Sequence, residues 1–162
     1  MKKKKNDSRF PAIVVDSREQ NPLHFPPNVV TVSGTLKSGD YSLLGFEDKV
    51  AIERKSKADC YHSLGGDRDR FENELRRLTM LDFSAIVVEC SLSKFLKQPE
   101  FSSMNPRSAV RSLVAWSVKY RVPVCWGDDR LHTSAMVVSL LEFWWKYHQK
   151  QKDHEHSTAA TT

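Results

Sequence analysis

Asp40, Glu53 and Lys55 are two acids and an amine within sixteen residues, and the chain between them reads as a hairpin. Tyr41 to Leu44 forms one arm, Gly45 to Asp48 the turn and Lys49 to Lys55 the return. With the turn centred between Phe46 and Glu47, paired positions sum to 93 and Asp40 faces Glu53. Opposed side chains in such a pair stand about 5 Å apart, where like charges repel. Two carboxylates so placed call for a cation. Lys55 shares a strand face with Glu53, because side chains alternate along a strand. Asp16, at the end of a β-branched run, is the natural third acid. Three carboxylates suit Mg²⁺ or Mn²⁺, hard ions that take oxygen ligands. Lys55 would then orient or deprotonate a water attacking a phosphodiester. From spacing alone the alternative is a solvated hairpin whose charges pair on the surface.

The elements that must position these groups alternate between strand and helix. Phe10 to Val15 reads as a strand buried on both faces and Val29 to Val32 as a second. A helix starts near Ser56, and another spans Asp67 to Leu81 with Phe71, Leu75 and Leu78 on one stripe. Phe83 to Val88 is a buried strand. Asn105 caps a helix with Pro106 in its first turn and Val110, Leu113, Val114 and Ser117 inward. Val122 to Trp126 is the last strand and Thr133 to about Gln149 the last helix. This order predicts an α/β fold, a central mixed sheet with helices on both faces. Residues 1–9 read as a basic disordered arm, 10–150 as the folded domain and 151–162 as a polar disordered tail.

Composition narrows the class. The formal charge of +5 owes four units to Lys2 to Lys5, so the body is close to neutral. From Cys90 to Gly127, however, Glu100 is the only acid against Lys94, Lys97, Arg107, Arg111, Lys119 and Arg121, a candidate phosphate-binding track. Cys60, Cys90 and Cys125 lack metal or disulfide spacing and read as packed, reduced thiols. The arm lacks a signal-peptide core, and the apolar run near the C-terminus is too short for a bilayer, so a soluble intracellular protein is expected. The last helix is apolar around most of its circumference, from Met136 to Tyr147, which calls for cover on two sides. His154-Glu155-His156 has ligand types but falls in the tail, and Trp116 and Trp126 read as core.

Gly39-Asp40-Tyr41, then Glu53-Arg54-Lys55 and Asp59, resembles the G-D…E-R-K-x-x-x-D signature of the XPF-type (ERCC4-domain) structure-specific endonucleases. Val14-Val15-Asp16-Ser17-Arg18-Glu19 is similar to that family's V-D-x-R-E opening, and Arg70-Phe71-x-x-Glu74 to its following helix. The resemblance covers about Phe10 to Leu81. It implies a restriction-endonuclease-like three-layer α/β/α fold and metal-dependent cleavage of branched, flapped or forked DNA. Asp16, Asp40 and Glu53 would be the metal ligands and Lys55 the catalytic lysine, with Arg18, Glu19, Arg54 and Asp59 at supporting positions. Alternation puts Arg54 on the opposite strand face from Glu53, and Asp59 in the first turn of a helix, where a carboxylate suits the dipole. The resemblance also implies a homodimer, placed here on the C-terminal helix. These 162 residues leave no room for the tandem helix-hairpin-helix module or helicase of many relatives. Two rivals remain: a catalytically inactive DNA-binding partner of the same fold, and a junction-resolving or duplex-cutting nuclease.

Overall fold

A computed structural model describes residues 10–159, with side chains described through residue 152. The Lys2 to Lys5 arm and the side chains of His154-Glu155-His156 lie outside these. Six strands form one mixed sheet in the order β2-β1-β3-β4-β5-β6. They are β1 (Ile13–Asp16), β2 (Thr31–Gly34), β3 (Tyr41–Leu43), β4 (Val50–Ser56), β5 (Phe83–Glu89) and β6 (Val124–Trp126). β3 runs antiparallel to both β1 and β4, whereas β1–β2, β4–β5 and β5–β6 are parallel. The helices are α1 (Lys57–Leu64), α2 (Arg68–Leu78), α3 (Leu92–Phe95), α4 (Pro106–Tyr120) and α5 (Arg130–Ala159).

Alternation along the central strands divides the core. Ala51, Ile86 and Val88 face α1, α2, α3 and α4, where Phe71, Leu75, Leu78 and Trp116 pack. Val50, Ile52, Ala85 and Val87 face α5, through Val137 and Leu141. The result is three layers, helix over sheet over helix. Each face is sealed by side chains from one strand parity, so the parity of Glu53 and Lys55 fixes the face on which they emerge.

Several expectations shift. β2 starts two residues later than expected, and α3 was not anticipated, since a one-turn helix leaves almost no periodic signal. α4 begins as expected, with Asn105 Oδ1 accepting from Arg107 N–H at 2.9 Å. Its inward stripe differs: Ala109, Leu113, Trp116 and Tyr120 are buried, while Val114 points outward. The two aromatics, one helical turn apart, set the buried face because they bring the larger apolar area. α5 continues ten residues beyond the expected end, to Ala159. Cys60, Cys90 and Cys125 are free thiols, and Trp116 is core as read.

Candidate active site

The hairpin adopts the predicted register, with Tyr41 opposite Ile52. One step beyond, the ladder gives way to side chains. The Asp40 carbonyl accepts from Asp16 N–H of β1 at 2.9 Å, while the Asp40 carboxylate accepts from Arg54 N–H of β4 at 2.8 Å. Asp40 therefore leans into the β3–β4 seam instead of standing as one half of a simple opposed pair. The turn before it depends on Gly39, whose φ of +73° is left-handed; a Cβ there would lie 3.0 Å from Ala51 Cβ and 3.1 Å from Ile52 O.

Glu53 and Lys55 emerge on the α2 face, as alternation requires, with Lys55 Nζ 3.5 Å from Glu53 Oε1. The ammonium also lies 4.3 Å over the Phe71 ring, a cation–π contact that holds it to α2. Only 12% and 14% of the Lys55 and Glu53 side-chain areas remain exposed. Burial, reinforced by the Asp40 charge, pushes the Glu53 carboxyl up to about 8 despite Lys55. Burial likewise pushes Asp40 up to about 6, against the lowering effect of the Arg54 N–H.

Asp16 is different. Its Oδ1 accepts from Arg18 N–H at 2.7 Å and Nε–H at 3.0 Å, and its Oδ2 from Arg18 Nη2–H at 2.7 Å and Leu36 N–H at 3.1 Å. The Arg18 guanidinium holds its pKa down to about 2, outweighing the cost of burial. Asp16 still lines the cleft of about 450 Å³ that contains Arg18, Glu19, Asp40, Glu53 and Glu74. An adjoining cleft of about 230 Å³ is lined by Glu53, Lys55, Asp59, His62, Arg70 and Glu74. Glu53 belongs to both.

The supporting residues sort by face. Arg54 emerges on the far side of the sheet, as alternation predicts, where Nε donates to Glu89 at 2.5 Å and Nη1 lies 3.6 Å from Glu19. Arg130 at the start of α5 comes within 3.9 Å of Glu89, so this network ties the hairpin to the last helix. Asp59 forms a capping box with Ser56, accepting from Ser56 Oγ at 2.6 Å, and so fixes the start of α1. Among the described residues, neither cleft is lined by Lys94, Lys97, Arg107, Arg111, Lys119 or Arg121. Lys94 pairs with Asp128 at 2.8 Å and Lys119 with Glu72 at 3.2 Å.

Sequence reasoning assigned no role at the site to Glu74, yet its Oε1 accepts from Gly39 N–H at 3.3 Å and it lines both clefts. The signal was its place in the Arg70-Phe71-x-x-Glu74 motif, to which no role had been attached. Among the described residues, the one trio of acidic or histidine side chains with ligand atoms all within 4.8 Å is Asp128, Asp129 and His132. Asp128 there is taken by Lys94, and Asp129 caps α5 through His132 N–H at 2.9 Å. Asp16, Asp40 and Glu53 are not drawn that close, since unscreened carboxylates repel and Arg18 holds Asp16 back.

A family model for the ERCC4 domain matches residues 15–140. No curated protein matches the chain by sequence. Among solved structures, XPF from Aeropyrum pernix aligns with a TM-score of 0.64 at 23% identity, covering 82% of this chain and 61% of that one. XPF from Aeropyrum pernix in complex with DNA aligns with a TM-score of 0.66 at 24% identity, covering 84% and 66%. This chain thus spans less than two thirds of the length of the XPF chains it resembles. The shared architecture is the restriction-endonuclease-like α/β/α fold. No helix among the described residues is long and apolar enough to cross a membrane.

Proposed function

The chain belongs to the ERCC4 domain family, and on that premise we propose that it is a divalent-metal-dependent endonuclease hydrolysing phosphodiester bonds in branched, flapped or forked DNA. The observation that carries this reading is that Asp16, Asp40 and Glu53 line one cleft, with Lys55 3.5 Å from Glu53 and seated on the Phe71 ring. Buried groups poised between protonation states concentrate at functional sites.

The donor set fits a hard cation. Asp40 and Glu53 supply carboxylate oxygens, and a bound divalent charge removes the reason their pKa values are raised. Asp16 joins them by exchanging one of the four donors it now satisfies. Mg²⁺ or Mn²⁺, when bound, would polarise the phosphate and acidify the attacking water. The protein's own groups do the rest. Lys55, fixed between Glu53 and the Phe71 ring, orients the water and offsets negative charge developing on the phosphate. Arg18 keeps Asp16 ionised, and Arg54 and Asp59 brace β4 and α1 from the two sides of the sheet. Lys94, Lys97, Arg107, Arg111, Lys119 and Arg121 take the more distant DNA backbone, Lys94 and Lys119 by exchanging their present partners.

The chain acts as a homodimer through α5, on which Leu131, Phe143 and Tyr147 are respectively 74%, 55% and 60% exposed. These apolar side chains gain from cover by a second copy.

Labelled flap, fork, four-way-junction and linear DNA, incubated with Mg²⁺, Mn²⁺ or chelator, test the proposal. Cleavage of the branched substrates with metal, lost in Glu53→Gln, is the expected result. A pure protein that binds branched DNA but cuts none of it with either metal would instead be the inactive DNA-binding partner.

A further inference from the structure

α2 divides its polar side chains between two directions. Phe71, Leu75 and Leu78 go into the core. Arg68, Glu72 and Arg76 follow a second stripe toward α4, where Glu72 accepts from Trp116 Nε1–H at 3.2 Å and Tyr120 Oη–H at 2.7 Å. Arg68 lies 4.6 Å over the Trp116 ring, and Arg76 donates to Asn73 at 2.7 Å. The third stripe is Arg70, Glu74 and Arg77, all lining the cleft that holds Asp40 and Glu53. Lys37 lines the same cleft from the loop before Gly39.

Arg70 is 87% exposed, and among the described residues its ion pair is a loose 3.8 Å contact with Asp67. Arg77 is half exposed and leans on Glu74, which also accepts from Gly39 N–H. A cleft for a polyanion needs cations at its rim, because its acids alone repel the substrate. Seven residues along a helix span about 10.5 Å. That is the axial rise of about three nucleotides of one DNA strand. Guanidinium groups also match the geometry of phosphate oxygens.

The geometry points to Arg70 and Arg77, with Lys37 across the cleft, as the rim that grips the phosphates flanking the scissile bond. This assignment rests on the nuclease reading and deepens it. Glu74 orients Arg77 and ties the rim to the turn that carries Asp40, so substrate grip and acid placement share one helix.

The test compares wild type, R70Q/R77Q and K37Q with R68Q/R76Q, which removes the same charge from the same helix on the α4 side. Anisotropy with fluorescent flap DNA over a salt series, and cleavage kinetics in Mg²⁺, give the readouts, with circular dichroism confirming folding. R70Q/R77Q should flatten the log–log salt slope by about 1.8, or roughly 0.9 per lost contact, and K37Q by about half that. KM should rise on the order of tenfold in the double variant. Its kcat should stay near wild type, and R68Q/R76Q should behave as wild type. Unchanged slope and KM in R70Q/R77Q, in a protein that still cuts DNA, overturn the rim alone. Equal losses in R68Q/R76Q reduce the effect to overall helix charge and overturn it too. A wild type that cleaves no DNA overturns the nuclease reading and the rim with it.

Discussion

Glu53 makes the sharpest prediction at the scale of one side chain. Its carboxyl moves from an ordinary 4.5 when unfolded to about 8 when folded, because burial and Asp40 disfavour the anion. Folding therefore favours the protonated form. That contribution is complete below pH 4.5 and disappears as pH rises through about 8. In chelator, Glu53→Gln should melt like wild type near pH 4.5 and clearly above it at pH 8 to 9. Adding Mg²⁺ should raise the wild-type melting temperature and leave the variant nearly unmoved, since only a ligand of the folded state stabilises it. Parallel melting curves of the two proteins across that pH range would show that burial does not raise the Glu53 carboxyl. Lys55→Ala separates binding from chemistry. Cleavage should fall by about 10²–10⁴-fold, the usual range for a lost proton-transfer group, while stabilisation by Mg²⁺ persists. A Lys55→Ala enzyme with wild-type kcat would leave that side chain only its contacts with Glu53 and Phe71.

Turns and helices carry the site as units. Gly39→Ala must hold an alanine at φ +73° with its Cβ against Ala51 and the Ile52 carbonyl. Urea denaturation should show a loss of about 1–2 kcal/mol, the cost of a left-handed conformation for a residue bearing Cβ. A neutral result would mean the turn rearranges freely. Glu72 makes the opposite pH prediction to Glu53. Tyr120, Lys119 and Trp116 hold its pKa down to about 2, so its stabilisation is present above about 4.5 and lost as pH falls through 2. Glu72→Gln should lower the melting temperature at pH 7 and converge with wild type near pH 2. A gap that is constant with pH would assign the anchor to shape alone.

Hairpin register, the face of Arg54, the Asn105 cap and the Phe71–Leu75–Leu78 stripe were legible because each is fixed by spacing within one or two elements. The capture of Asp16 was not. Its second oxygen is satisfied by Leu36 N–H, twenty residues away, through a loop whose path no local pattern encodes. Glu74 was legible as a motif position, but its bond to Gly39, thirty-five residues earlier, was not. The α4 stripe failed on competition between two candidate faces, one rich in valine and one holding Trp116 and Tyr120; only the packing against Phe71 and Glu72 decides between them.

At the scale of the whole molecule, α5 is covered by the sheet on one side and apolar on another. Tyr147→Glu and Phe143→Glu place charges on exposed positions, so both variants should fold. If α5 pairs two copies, sedimentation should show a wild-type dimer at micromolar concentration and monomers for the variants. A monomeric wild type would end the dimer proposal. The same helix also closes the back of the hairpin. Phe46 at its tip meets Trp144 at 5.6 Å, Trp145 at 5.1 Å and His148 at 5.4 Å. Asp16, Asp40, Glu53 and Lys55 all precede residue 56, while the fully buried apolar side chains that α5 packs behind their sheet begin at Val137. At about 5–20 residues per second, a ribosome makes the acids roughly 4–16 s before it makes the helix that backs their sheet. The three acids and the lysine are thus synthesised early and assembled last, and during that interval a nascent chain carries them without the helix that closes the back of their sheet.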